Sequence, residues 1–153
     1  MEQITKIPQR CDIAQEDKWA LEDLFVGDEA WEKELTQVAE EGKKLAAFAG
    51  RLSESGDSLY QYLELMEQLD CRASALGNYC MRKSDEDTRV AKYQQMVGQF
   101  MNTMVSLSAA TSFETPEIME ITDETLDSFY AQQPKLERYR RYLTNMRRKK
   151  EHV

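Results

Sequence analysis

Apolar positions between Leu59 and Leu107 fall into two ladders. The first runs Leu59, Tyr62, Met66, Leu69, Ala73, Leu76, Cys80, and the second Val90, Tyr93, Val97, Phe100, Met104, Leu107. Both step by alternating threes and fours, so each set forms one stripe along an α-helix. Between them lies a polar block, Arg82-Lys83-Ser84-Asp85-Glu86-Asp87-Thr88-Arg89. Neither stripe is stable in water, and the pattern predicts a long hairpin with helices over about 57–82 and 88–112. Each would be about 38 Å long at 1.5 Å per residue.

Shorter elements flank this hairpin. Residues 1–18 are polar and aperiodic and predict a loose or extended arm. Trp19, Leu21, Leu24 and Phe25 concentrate apolar surface in a segment that must dock onto something. Asp28 is the expected N-cap of a helix carrying Trp31, Leu35, Val38, Leu45 and Phe48, with Gly42 interrupting the stripe and Gly50 ending it. Asp57 or Ser58 is expected to cap the next helix. The third helix carries a second, partial stripe, Gln94, Gly98, Met101, Val105, Ser108, and several small residues, which predicts a central position with partners on both sides. Thr115 and Pro116 are expected to start a short helix, and Thr122 to cap another whose face is Leu126, Phe129 and Tyr130. Pro134 opens a last one bearing Leu136, Tyr139, Tyr142, Leu143 and Met146. The fold class is all-α, an antiparallel helical bundle, with residues 1–18 as arm and 19–153 as a single helical domain.

Composition adds limits on function. With 41% hydrophobic and 31% charged residues, and only 3 Pro and 6 Gly in 153 positions, the chain suits a helical globular domain. A formal net charge of −8 disfavours nucleic acid or an anionic membrane as partner. The basic run Arg147-Arg148-Lys149-Lys150 complements the negative end of a helix dipole. No apolar stretch is long enough to span a bilayer. The N-terminus lacks an apolar signal region. Cys11, Cys71 and Cys80 form no Cys-x-x-Cys pair, and Cys71 and Cys80 lie too far apart on one helix to bond. These features predict reduced thiols and a cytoplasmic location.

Catalytic chemistry finds little support in the residue types. The single histidine, His152, is the second-last residue. That excludes a zinc site built on two histidines one helical turn apart, and a catalytic triad could use only a terminal imidazole. No glycine-rich phosphate loop is present. Carboxylate pairs occur, but no Glu-x-x-His accompanies them, and Glu64 and Glu67 flank the ladder rather than lie in it. Residues 84–87 are expected to turn the chain and cap the third helix. Tyrosines and the 8 methionines read as packing residues. No catalytic, metal or cofactor-binding residue is expected on this chain.

Four blocks carry a resemblance. They are Trp19-Ala20-Leu21-Glu22-Asp23-Leu24-Phe25, Ser84-Asp85-Glu86-Asp87-Thr88-Arg89, Ser112-Phe113-Glu114-Thr115-Pro116-Glu117-Ile118 and Tyr139-Arg140-Arg141-Tyr142-Leu143. In this order they resemble the N-terminal region of oligoendopeptidase F, of the thimet-oligopeptidase superfamily of zinc metallopeptidases. The likeness runs from about residue 19 to the end.

The resemblance implies a helical fold and cytoplasmic cleavage of short peptides by a zinc held on an HExxH helix. No HExxH occurs in this sequence, so zinc is expected only in a catalytic part outside it. The chain would then be a truncated product or a cut domain: a non-catalytic lobe, inactive alone, that helps enclose a peptide channel. Its partners would be the catalytic lobe and, in the whole enzyme, oligopeptides. Trp19, Leu24 and Phe25 are the candidate interface, and their exposure would favour a homodimer when the lobe is isolated. The alternative readings are a self-standing helical adaptor derived from a truncated peptidase, or a helical-bundle metalloenzyme.

Overall fold

The structure, a computed structural model, describes residue 8 and residues 10–148. Its α-helices are α1 (Asp28–Leu45), α2 (Gly56–Glu86), α3 (Ala91–Ala110), α4 (Glu114–Glu120), α5 (Asp123–Gln132) and α6 (Arg140–Arg148). Short 3-10 turns cover Arg10–Asp12, Gln15–Asp17, Leu21–Asp23, Ala46–Phe48 and Pro134–Tyr139. No strand occurs among the described residues. The all-α bundle read from the pattern is the observed fold.

The hairpin is α2 and α3, with its turn at residues 87–90. Here Asp87 takes the Arg89 backbone N–H at 3.0 Å and its guanidinium at 2.8 Å. The α2 helix runs to Glu86 rather than to about residue 82 because Ser84 points inward, where its hydroxyl receives the Gln94 amide at 2.9 Å. The third helix, expected over 88–112, spans only Ala91–Ala110, and Val90 precedes it without a side-chain cap.

α1 lies against both hairpin arms. Trp31, Leu35, Val38 and Leu45 are buried, and the Trp31 indole N–H donates to the Leu76 carbonyl of α2 at 2.8 Å. This bond satisfies the one polar group of the largest fully buried side chain. Across the same contact, Arg72 of α2 bridges Glu34 at 2.5 Å and Glu41 at 2.6 Å of α1. Gly42 interrupts the stripe so that Leu107 of α3 can approach: a Cβ there would lie 2.7 Å from Leu107 Cδ1.

α2, not α3, is the central helix. Leu69, Leu76 and Cys80 are fully buried on it, and its first turns also bury Leu59, Tyr60 and Leu63. The second stripe of α3 faces water instead. Met101 is 48% and Val105 67% exposed, and nothing lies within 4 Å of where a Gly98 Cβ would stand. Small residues permitted a partner on that face, but no element among the described residues supplies one.

The C-terminal helices cover the other side of α2. Gly56 at the start of α2 meets Phe129 of α5 so closely that a Cβ would lie 2.8 Å from the Phe129 carbonyl oxygen. Leu126, Phe129, Leu136, Tyr139 and Leu143 are buried there. Tyr142, expected on the same apolar face, is 44% exposed.

Several caps fall one or a few residues from their expected places. Ser55, not Asp57 or Ser58, caps α2 by accepting the Ser58 N–H at 3.1 Å. α4 starts at Glu114 after Phe113, leaving Pro116 at the third helical position, where no intrahelical donor is needed. Thr122 caps α5 as expected, accepting from the Thr125 N–H at 3.2 Å. Gly50 takes a φ of +78°, which makes it the stop after the Ala46–Phe48 turn. Its N–H and that of Leu52 donate to Glu117 of α4 at 2.5 Å and 3.2 Å. The α1–α2 connection is thus clamped by a carboxylate 65 to 67 residues further along the chain.

Candidate functional site

The segment after the arm docks by alternate residues. Leu21 is buried, and the Phe25 ring meets Tyr79 of α2 edge-on, centroids 5.5 Å apart. Trp19 and Leu24, by contrast, are 51% and 42% exposed. Of the three candidate interface residues, then, the structure turns Trp19 and Leu24 outward and half-buries Phe25, because the i to i+4 pair Leu21 and Phe25 faces the bundle. The Arg82 guanidinium stands 5.1 Å from the Trp19 ring centroid. Val26, at 91% exposed, belongs to the same surface and was not singled out by its spacing. Within the arm, Arg10 pairs with Glu86 at the end of α2.

Asp28 does not cap α1. Its carboxylate instead takes the Tyr79 hydroxyl at 2.8 Å and the Lys92 ammonium at 2.6 Å, tying α1 to both hairpin arms. Burial opposes its ionisation, but the bonds from Lys92 and Tyr79 outweigh burial and hold the carboxyl below its ordinary range. Cys80 is buried, which pushes its thiol up to about 11, while Cys11 and Cys71 are exposed. Among the described residues no group of three His, Cys, Asp or Glu could hold a metal ion. His152 lies outside the described residues.

A cleft of about 340 Å³ opens between α2, α4 and α6 and the Pro134–Tyr139 turn. Leu63 and Met66 give it an apolar wall, and Glu67, Asp70 and Glu114 give it three carboxylates. Glu67 is spoken for: it receives the Arg138 guanidinium at 2.6 Å and the Tyr139 hydroxyl at 2.7 Å. Glu114 is 9% exposed and accepts the Tyr142 hydroxyl at 2.5 Å. Asp70 stands at the mouth and makes no hydrogen bond or ion pair with the described residues, and desolvation there raises its carboxyl above the ordinary range. Behind Glu114 the Tyr62 side chain is fully buried, its hydroxyl turned toward the Glu114 carboxylate. Burial, followed by the Glu114 charge and a hydrogen bond to that carboxylate, pushes its ionisation far up. These groups come from three separated stretches of chain, so no sequence spacing announces the cleft.

A family model described as Oligopeptidase F matches residues 117–153. Oligopeptidase PepF of Bacillus subtilis is 32% identical over 148 residues, 97% of this chain but 22% of that protein. The chain belongs to the oligoendopeptidase F family, as its N-terminal region. Group B oligopeptidase PepB of Streptococcus agalactiae is 29% identical over 94% of this chain and 24% of its own length. The crystal structure of oligoendopeptidase-F from Enterococcus faecium aligns with a TM-score of 0.71 at 23% identity, covering 78% of this chain and 24% of that one. This oligoendopeptidase F region therefore shares its fold with part of the E. faecium structure and spans about a quarter of the length of the relatives it matches. No helix among its described residues is long and apolar enough to cross a membrane.

Proposed function

We propose that this helical unit serves as the non-catalytic N-terminal lobe of a zinc-dependent peptidase that cleaves short peptides. The observation that carries the reading is length: relatives aligned along 94–97% of the chain are four times as long and are oligopeptidases. The sequence holds no HExxH, and on this reading zinc and the chemistry it supplies come from another part of the enzyme. The lobe supplies wall rather than reagent. Its helices help enclose a peptide channel, and its exposed apolar residues, Trp19, Leu24, Val26, Met101 and Val105, suit burial against the catalytic part. Left alone, such surface favours pairing of two copies. The setting is the cytoplasm, as the reduced thiols suggest.

The test is reconstitution. The chain is purified and assayed on fluorogenic peptides with added zinc, alone and after co-expression with the B. subtilis PepF region beyond the aligned segment. The expected result is no cleavage alone and cleavage by the pair. Metal-dependent cleavage by the chain alone overturns the reading.

A further inference from the structure

We propose that the outer face of α3, with the furrow between α1 and α3, is the seat of the catalytic part, which meets it through an uncharged, apolar surface. The proposal rests on the lobe reading and deepens it by choosing one face among the exposed ones.

Charge is the first observation. From Tyr93 to Phe113 the sequence has no Asp, Glu, Lys or Arg, in a chain that is 31% charged. A helix facing water ordinarily carries charges on that side, as α1 does with exposed Glu29, Glu32, Lys33, Glu40, Lys43 and Lys44. On α3 the exposed positions after Lys92 are Gln, Asn, Gly, Ser and Ala, with Met101 at 48% and Val105 at 67%. Depletion of charge around exposed Met and Val is the composition of an interface centre, not of a solvated surface. The exposed patch at Trp19 and Leu24 differs: exposed Glu22 and Asp23 adjoin it in sequence, and the Arg82 guanidinium already stands 5.1 Å from the Trp19 ring centroid.

Hydrogen bonding is the second observation. The Thr103 hydroxyl donates to the Gln99 carbonyl at 3.1 Å, and the Ser106 hydroxyl to the Asn102 carbonyl at 3.0 Å. Both donors are satisfied within the helix, so a partner can cover them without stranding either. Beside them runs the furrow, two adjoining hollows of about 290 and 540 Å³ that share Ala39, Asn102 and Thr103. Ala39, Gly42 and Ala110 line it with little bulk, which leaves room for a partner's side chains.

Size decides the kind of partner. The stretch from Gln94 to Ala109 rises about 24 Å, and at a helix width of about 10 Å its face offers about 240 Å². Even doubled by the furrow, that falls short of the roughly 800 Å² per partner of a stable complex between separate molecules. Pairing of two copies through this face alone is therefore weak. A joint of this size holds when both surfaces belong to one polypeptide, because the second surface is then present at high effective concentration. The relatives have such a polypeptide: 97% of this chain aligns with only 22% of B. subtilis PepF.

The experiment compares alkylation of Val105→Cys and, as a control, Lys33→Cys by N-ethylmaleimide, read by peptide mass spectrometry so that each site is scored separately. The same cysteines are placed at the aligned positions of full-length B. subtilis PepF. In the 153-residue chain both should react at similar rates. In PepF the cysteine aligned with Val105 should react about tenfold or more slowly, while the control stays fast. A second measurement uses the chain co-expressed with the PepF region beyond the aligned segment. There Val105→Glu should melt as the native chain does, yet lower the recovered peptidase activity about tenfold or more, whereas Lys33→Ala should not. A fast cysteine at the Val105 position of active PepF, or full recovery with Val105→Glu, overturns the proposal and leaves the lobe reading standing. Lack of recovery by the native chain removes the lobe reading and this proposal with it. Protection of Val105→Cys in the isolated chain, lost on dilution, assigns the face to a second copy and also overturns the proposal.

Discussion

Two helical glycines should respond oppositely to the same substitution. Gly56 begins α2 and Gly98 lies inside α3. Alanine in place of glycine within a helix is favoured by about 0.8–1.0 kcal/mol, chiefly because the unfolded chain is restricted. At Gly98 nothing lies within 4 Å of the added methyl, so that gain should appear in full. At Gly56 the methyl would stand 2.8 Å from the Phe129 carbonyl oxygen and 3.0 Å from its Cα. Backbone cannot swing aside as a side-chain tip can, and overpacking of this kind costs about 1–3 kcal/mol. A first-turn position also returns less of the propensity gain. For a chain of this size each kcal/mol moves the midpoint of thermal unfolding by about 2–4 °C. Gly98→Ala should therefore melt about 2–4 °C higher and Gly56→Ala about 2–12 °C lower, by circular dichroism, with urea unfolding as a check. Destabilisation by Gly98→Ala would refute the reasoning, since it would mean that the outer face of α3 is covered. An unchanged Gly56→Ala would mean that α2 and α5 are not in backbone contact.

Other substitutions test the same packing. Leu69→Asp places a charge at a fully buried position of α2 and should cost about 4 kcal/mol or more, whereas Val105→Asp should stay within about 0.5 kcal/mol by urea titration. In the native protein two thiols, Cys11 and Cys71, should react promptly with Ellman's reagent, and Cys80 only on unfolding. The Asp28 carboxyl is held below its unfolded value of 3.8, so its contribution to stability is present above about pH 4 and is lost as pH falls further. Asp28→Asn should flatten the fall in stability below about pH 4, and an unchanged slope would mean that the clasp with Tyr79 and Lys92 contributes nothing.

The sequence made the core readable where a periodic stripe was long. Leu59, Tyr62, Leu69, Leu76 and Cys80 are all fully buried, and so are Trp31, Val38 and Leu45. It was misleading where composition permits two outcomes. Gly98, Ser106 and Ser108 allow close approach but do not compel it, and solvent took that face. Met96, 2% exposed, sits one residue before Val97 of the ladder, at a position the stripe did not name. The caps at Ser55 and Phe113 were misplaced because several neighbouring residues could serve equally. The cleft was invisible for a topological reason. Asp70, Glu114 and Tyr142 are brought together only by the packing of α4 and α6 on α2. The family was legible because short blocks of residues, unlike a cleft, are written contiguously.

The Glu117 clamp has a consequence for synthesis. The amides of Gly50 and Leu52 leave the ribosome 67 and 65 residues before the carboxylate that receives them. At about 5–20 residues per second the connection between α1 and α2 waits roughly 3–13 s for its partner. During that interval α1 can pack on the growing α2, but the angle between them is not yet locked. Final closure of the nascent domain is therefore timed by the emergence of α4, and stalled translation before residue 117 should leave a species that proteases cut at the 46–55 connection.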